Sequence, residues 1–383
     1  MAEWTRRRVL LLSLGLGSVV SGWSEHHRRR RLNLEQSQLT ELALGDEERV
    51  SRAVNQAFEG DRDATAAVER IRSGLDLPAP AVPYDRARSK ALIQASRMAT
   101  EQYLKGKYDL SYDGSIQPLP AYDDRFEGYT QIASIRGRDM VDAEQTIRVD
   151  DSVIQDPLQA GARRLRQRIQ RLAGQSVVIR WSYPVHWGFA LRGKDHQLLV
   201  LRGTQRGHEW LQTIHANQIR ASEIAGLSCA GSIHRGFATI YAELSESVLA
   251  AARQLDPSLP LYVSGHSLGS PLATLAALNI AEAIPEFQET IRLYSYAGPR
   301  LGDPDFAEAF STKLPNSYRI INQADLVPRL PPTKTKQIVY VHLGEPWAFS
   351  SDAGDIGPNH FISAYRKAIE AEREERRPFS PEA

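Results

Sequence analysis

The sequence predicts an α/β chain with a mostly parallel central sheet, preceded by an N-terminal helical region. Three observations carry this. Short apolar runs alternate with helical periods from Val177 onward, the glycine turn Gly265–Gly269 joins one such run directly to an Ala- and Leu-rich helix, and the preceding residues show mainly 3.6-residue spacing.

The elements follow in chain order. Met1-Ala-Glu-Trp-Thr-Arg-Arg-Arg-Val-Leu-Leu-Leu12 puts a basic head before an apolar stretch running from Val9 to Gly22. That stretch has the length of a signal h-region and is short for a membrane span. The Thr-Arg-Arg-Arg-Val-Leu order is similar to a twin-arginine export signal, with small residues at Ser21 and Gly22. The basic run His26-His-Arg-Arg-Arg-Arg31 favours retention on the inner side of a membrane. Residues 1–23 therefore read as a signal or anchor segment. The expected location is exported or membrane-associated, with a cytoplasmic protein as the remaining reading.

Residues 24–175 read as a mainly helical region. Val50, Val54, Ala57 and Phe58 share one face behind Asp46, and Ala64, Val68 and Ile71 repeat the spacing. The prolines of Leu77-Pro-Ala-Pro-Ala-Val-Pro83 require extended backbone and mark a linker, after which a helix is expected over Asp85 to Tyr103. Tyr129 to Ile135 is β-like within a turn-rich stretch. Leu158, Ala162, Leu165, Ile169 and Leu172 line one side of an arginine-rich helix, which packs on the domain with a solvated basic face or lies on an anionic membrane.

The domain expected over 176–370 has strands at Trp187–Leu191, His196–Leu201, Leu259–Ser264, Ile291–Ala297, Ser317–Asn322 and Ile338–Leu343. Helices are expected at Gly236–Leu255, Leu268–Ile284 and Pro304–Leu314. Residues 371–383 form a charged tail.

Composition narrows the function. Lys and Arg number 47 against 46 Asp and Glu, which excludes a globally basic nucleic-acid binder. The single cysteine, Cys229, excludes an internal disulfide framework and a cysteine-built metal site, and reads as a buried thiol. Nothing in the sequence fixes the oligomeric state.

Gly265-His-Ser-Leu-Gly269 satisfies G-x-S-x-G between a strand and a helix, which is the setting of a nucleophile elbow. Flanking glycines leave room for the sharp turn, and the helix start places Ser267 near a positive dipole end. A serine hydroxyl needs a base and a group that orients the base, in the chain order Ser, acid, His. Asp325, directly after the strand Tyr318–Asn322, is the favoured acid, with Asp303 and Asp305 better read as a turn and helix start. Two histidines follow it. His360 follows a loop, whereas His342 sits inside a strand-like run, so His360 is the candidate base. His266 adjoins the nucleophile too closely in sequence to act on it and reads as a packing residue. The turn after Leu198–Leu201 offers the backbone N–H of Thr204, joined by that of Leu268, as the oxyanion hole.

Together these residues resemble the class 3 lipase family, an α/β-hydrolase group, over roughly Ser182 to Arg366. The marks are Leu201-Arg-Gly-Thr-Gln205 with Glu209-Trp210, Ile233-His-Arg-Gly-Phe237, Gly265-His-Ser-Leu-Gly269, Tyr296-Ala-Gly-Pro-Arg-Leu-Gly302, Asp325-Leu-Val-Pro328, and His360 with Tyr365 behind it. The likeness implies an α/β-hydrolase fold, a Ser267–Asp325–His360 triad, an oxyanion residue at Thr204, and hydrolysis of lipid acyl esters through an acyl-enzyme. No metal or organic cofactor is implied. The implied partners are a lipid or ester substrate and contact with a lipid interface, with no nucleic acid.

The chain departs from the family at Ser270, where a second glycine is usual. The segment 205–219, with Trp210, Leu211 and Ile214 on one side, occupies the place of a lid and reads equally as a mobile cover or a fixed helix burying Trp210. An acyltransferase using the same triad and a catalytically inactive lipid-binding protein are the alternative readings.

Overall fold

A computed structural model describes residues 77–109, 111–138, 143–148, 176–181, 184–203, 218–331, 334–335, 338–351 and 356–371. The expected export segment, the helical spacings over 50–58, 64–71 and 158–172, Thr204, most of the segment 205–219 and all of the charged tail but Ala371 lie outside them.

Seven strands form the central sheet in chain order: β1 Thr130–Arg138, β2 Pro184–Arg192, β3 Gln197–Leu201, β4 Leu261–His266, β5 Ile291–Tyr296, β6 Ser317–Asn322 and β7 Glu345–Phe349. β1, β2 and β3 pair antiparallel, and every pairing from β3 to β7 is parallel. With helices on both faces, this is an α/β-hydrolase sheet.

The topology dictates where the helices go. Each parallel strand is laid beside its predecessor on the same side, and right-handed crossovers then put the intervening helices on one face. These are α2 Arg235–Ala252, α3 Gly269–Ala283 and α4 Pro304–Lys313. Their Tyr241, Leu244, Leu272, Leu275, Phe306 and Phe310 share one core with Leu199, Leu201, Val263 and Leu293. Strand side chains alternate, so Phe189, Leu191, Leu198, Val200, Tyr294 and Tyr296 face the opposite side.

That second face is covered from outside the crossovers. Helix α1, Arg86–Tyr108, begins at Asp85, whose side chain accepts from Arg88 N. It buries Leu92, Ile93, Ala95, Met98 and Ala99 there, joined by Tyr365 and Ile369 of α6, Ile362–Glu370. Arg86 locks the two helices together by donating from Nε to Ile369 O at 2.9 Å and from its fork to Ala371 O.

Several expectations change here. The sheet and its second core reach back to α1 and β1, so they extend past the expected boundary at 176. Among the described residues of 24–175, only α1 is an α-helix, and Thr130–Arg138 and Ala143–Arg148 are strands. The expected strand Ile338–Leu343 reduces to Ile338–Val339, paired with Lys334–Thr335, and a bridge from Val341 to Gly302. The edge strand β7 was missed because Pro346 interrupts its pattern, and an edge position tolerates proline. Gln218 and Ile219, assigned above to the lid-like segment, lie in a short strand paired with Ser232–His234.

Candidate active site

The strand β4 ends at His266 and α3 begins at Gly269, so the chain reverses within Ser267 and Leu268. Ser267 has φ 58°, in the left-handed region that side chains other than glycine rarely occupy. The turn is held by Ser267 N donating to Tyr296 O at 2.9 Å. Glycine is required on both sides: a Cβ on Gly265 would run into the Gly269 backbone, and one on Gly269 into the carbonyl of Leu201. The parallel register Leu201↔Gly265 brings the end of β3 alongside this turn.

Around Ser267 the structure gathers two of the expected partners. His360 Nε2 lies 2.8 Å from Ser267 Oγ, and His360 Nδ1 lies 2.8 Å from Asp325 Oδ2. A carboxylate only accepts, so Nδ1 carries the proton and Nε2 presents its lone pair to the hydroxyl. The Asp325 side chain is fully buried, and Val327 N donates to its other oxygen at 2.9 Å. His360 stands at the end of the short helix α5, Ile356–His360, rather than on a loop as expected. The α5–α6 corner still projects its ring toward Ser267.

Three supporting residues were not assigned roles from sequence. Tyr365 OH donates to Asp325 Oδ2 at 2.7 Å and accepts from Asn322 N at 3.1 Å. Burial foremost, and then the adjacent Asp325 charge, hold this phenol far above its usual titration range, so it remains a donor. Asn322, fully buried at the end of β6, donates to Ser351 O and Asn359 O at 2.8 and 3.0 Å. It thereby ties the residue before His360 to the strand that precedes Asp325. Arg202, two residues before Thr204, donates to Gly203 O at 3.0 Å. Their traces in the sequence are Arg202 within Leu201-Arg-Gly-Thr-Gln205, Asn322 at the end of the strand before Asp325, and Tyr365, five places after His360.

His266 is buried under the site, with its ring centroid 5.0 Å from that of His360. Desolvation foremost, with the neighbouring His360, pushes it far below the ordinary histidine range, so the ring is neutral. Ser270, the residue at odds with the family pattern, is also buried. Its Oγ lies 2.8 Å from Gly265 O and 2.7 Å from Tyr296 O, within donating reach of both. A Cβ on Gly298 would come within 2.7 Å of Ser270 Cβ, so the added side chain occupies space left by that glycine.

The other candidates separate from the triad. Asp303 accepts from Phe306 N and caps α4, and Asp305 lies in that helix's first turn. His342 lines a small cavity with Thr274, Gly298 and Arg319. Leu268 stands at the N-cap of α3, beside the serine. Thr204 lies outside the described residues. Cys229 is buried, and burial pushes its thiol up to about 11.

Residues 198–335 match the model of the family described as Lipase (class 3). The secreted mono- and diacylglycerol lipase 1 of Fusarium solani is 31% identical over 43% of this chain and 47% of its own length. The phospholipase A1-II 4 of Oryza sativa subsp. japonica is 31% identical over 38% of this chain and 42% of its own. The propeptide complex of Rhizomucor miehei lipase is 26% identical, with a TM-score of 0.39 over 44% of this chain and 53% of that one. The chain thus spans about half the length, or less, of these relatives.

Proposed function

We propose, from the match of residues 198–335 to the class 3 lipase family, that the chain is a serine carboxylic ester hydrolase acting on lipid acyl esters. The observation that carries the reading is the unbroken chain of contacts from Ser267 through His360 to Asp325.

Ser267 Oγ attacks the ester carbonyl carbon while His360 Nε2 takes the hydroxyl proton. Asp325 holds the imidazole in the required tautomer and stabilises the imidazolium that forms. The tetrahedral oxyanion is held by the amides of Thr204 and Leu268, aided by the start of α3. Collapse of that intermediate expels the alcohol, which takes the proton from His360 and leaves an acyl-serine. Water then attacks the acyl-serine with His360 again as base, and the fatty acid leaves as Ser267 regains its proton.

The names of the relatives, a mono- and diacylglycerol lipase and a phospholipase A1, support a glycerolipid ester as the substrate class. Export from the cytoplasm is consistent with the basic head and apolar stretch of residues 1–23, and the Fusarium solani relative is named as secreted.

The test is Ser267→Ala in the full chain. It should lower ester hydrolysis by several orders of magnitude and abolish labelling by a fluorophosphonate probe, and retained hydrolysis would overturn the assignment. A panel of triacylglycerol, diacylglycerol, phospholipid and galactolipid substrates then identifies the head group.

A further inference from the structure

His266 ends β4, and the pleat of that strand decides where its ring goes. Leu261 and Val263 pack in the core beneath the crossover helices, so the alternate residues Tyr262, Ser264 and His266 turn to the face covered by α1 and α6. The partner of His266 across the sheet, Tyr296, is buried on that same face. His266 is itself buried there, where the corner between α5 and α6 brings His360 against it.

Two rings close over it. The His266 centroid lies 5.0 Å from that of His360 with the planes at 40°, and 5.5 Å from that of Tyr365 with the planes at 82°. Those two rings meet on one atom, Oδ2 of Asp325, which lies 2.8 Å from His360 Nδ1 and 2.7 Å from the Tyr365 phenol. His266 thus packs on both donors to the carboxylate that orients the base. A hydrogen bond also links its ring to the backbone of His360, and because that bond favours the protonated ring, the acceptor is the His360 carbonyl. The preceding carbonyl, that of Asn359, accepts from Asn322 Nδ2 at 3.0 Å. Side chains from the ends of β4 and β6 therefore hold two consecutive carbonyls of this corner. Burial keeps the His266 ring neutral, so it sets no charge against the imidazolium that forms on His360.

We infer that His266 is a positioning residue for the base: its flat, buried ring is the floor that keeps the His360 imidazole level with Ser267 Oγ. The separation so maintained is 2.8 Å from Nε2. His266 neither touches the substrate nor takes the proton. The inference rests on the hydrolase reading proposed above and gives the residue between Gly265 and Ser267 a task in it.

In the full chain, His266→Ala should lower kcat by about 10- to 100-fold, because displacing a reacting group by about 1 Å can cost about 100-fold. KM should stay within about threefold, since no substrate contact is removed. Exhaustive fluorophosphonate labelling counts the folded active sites, and kcat is expressed per labelled site. A residue that only stabilised the fold would reduce the number of sites and leave the rate per site unchanged. The rate constant for labelling should fall with kcat, because phosphonylation draws on the same transfer of the serine proton to His360. His266→Phe, which restores a flat ring, should recover most of the kcat lost in His266→Ala.

The inference falls if His266→Ala keeps kcat per site within twofold, if its loss appears in KM, or if His266→Phe is no faster than His266→Ala. Should His266→Ala not be recovered folded, His266→Leu takes its place under the same thresholds, since it fills the space without a flat face. Retained hydrolysis in Ser267→Ala would instead sink the hydrolase reading itself. A dead Ser267→Ala beside an undiminished His266→Ala would remove the positioning role alone.

Discussion

The phenol of Tyr365 donates a 2.7 Å hydrogen bond to Oδ2 of Asp325, the same oxygen that receives Nδ1 of His360. One carboxylate oxygen thus serves two donors, and the tyrosine limits where the carboxylate can turn. Tyr365 is also the acceptor for the buried N–H of Asn322. Tyr365→Phe keeps the ring and removes both bonds. The variant should lose about 1–3 kcal/mol of stability, mainly from the stranded Asn322 donor. Its kcat should fall by about tenfold, since a less constrained carboxylate orients the imidazole less well. Denaturant unfolding and steady-state kinetics check the two effects separately. Unchanged stability together with unchanged kcat would show the phenol to be incidental.

Ser270 gives a prediction of the opposite kind, on stability more than rate. Its hydroxyl reaches carbonyls of both β4 and β5, tying the first turn of α3 to the strand on either side of the elbow. Ser270→Ala removes the donor and leaves the Cβ packing against Gly298 unchanged. The loss should be about 1–2 kcal/mol, the usual effect of one buried hydrogen bond. The kcat should remain within a few-fold of the parent, since Ser267 N is held independently by Tyr296 O. A thermal midpoint equal to that of the parent would refute the tie.

His266 sets a pH dependence of folding. Its folded-state value is depressed by burial, so the ring is neutral in both states above about pH 6.5, the unfolded value, and contributes nothing there. Below that pH the unfolded chain takes up a proton that the folded chain refuses. Stability then falls with decreasing pH by up to about 1.4 kcal/mol per pH unit from this group alone. His266→Gln cannot titrate, so its stability curve between pH 6.5 and 5 should be flatter than the parent's by up to that slope. Parallel curves from denaturant unfolding at stepped pH would show that His266 is protonated in the native state.

The sequence made the parallel half of the fold and the residues that meet at Ser267 legible because each carries its own local signal, although Ser267 and His360 stand 93 residues apart. A strand, two glycines and an apolar helix mark the elbow within a few residues of Ser267. Asp325 follows from chain order and its place after a predicted strand, and His360 from chain order and its place after a loop. What escaped is held together across long separations. Tyr365 and Asn322 meet only because β6 and α6 pack, and Tyr103 reaches Arg202 only once α1 lies across the sheet. β7 escaped for a local reason, since Pro346 breaks the strand pattern and edge placement cannot be read from a single segment.

The N-terminal boundary is the sharpest case, and it yields the last prediction. The sequence places the start of the α/β domain at 176 because the alternation of strands and helices begins there. All crossovers lay their helices on one face, so a chain beginning at 176 exposes Phe189, Leu191, Leu198, Val200, Tyr294 and Tyr296 wherever α1 should cover them. Each large apolar side chain so exposed costs about 1.5–3 kcal/mol, and a domain's whole stability is about 5–15 kcal/mol. The sheet would also lose β1, leaving β2 an open edge. A chain starting at 176 should therefore be recovered as aggregate, whereas one starting at 77 keeps α1, Asp85 and Arg86 and should unfold cooperatively. Circular dichroism and size-exclusion chromatography distinguish the outcomes. A soluble, cooperatively unfolding 176–383 fragment would show that α1 is an accessory to the sheet and not part of its core.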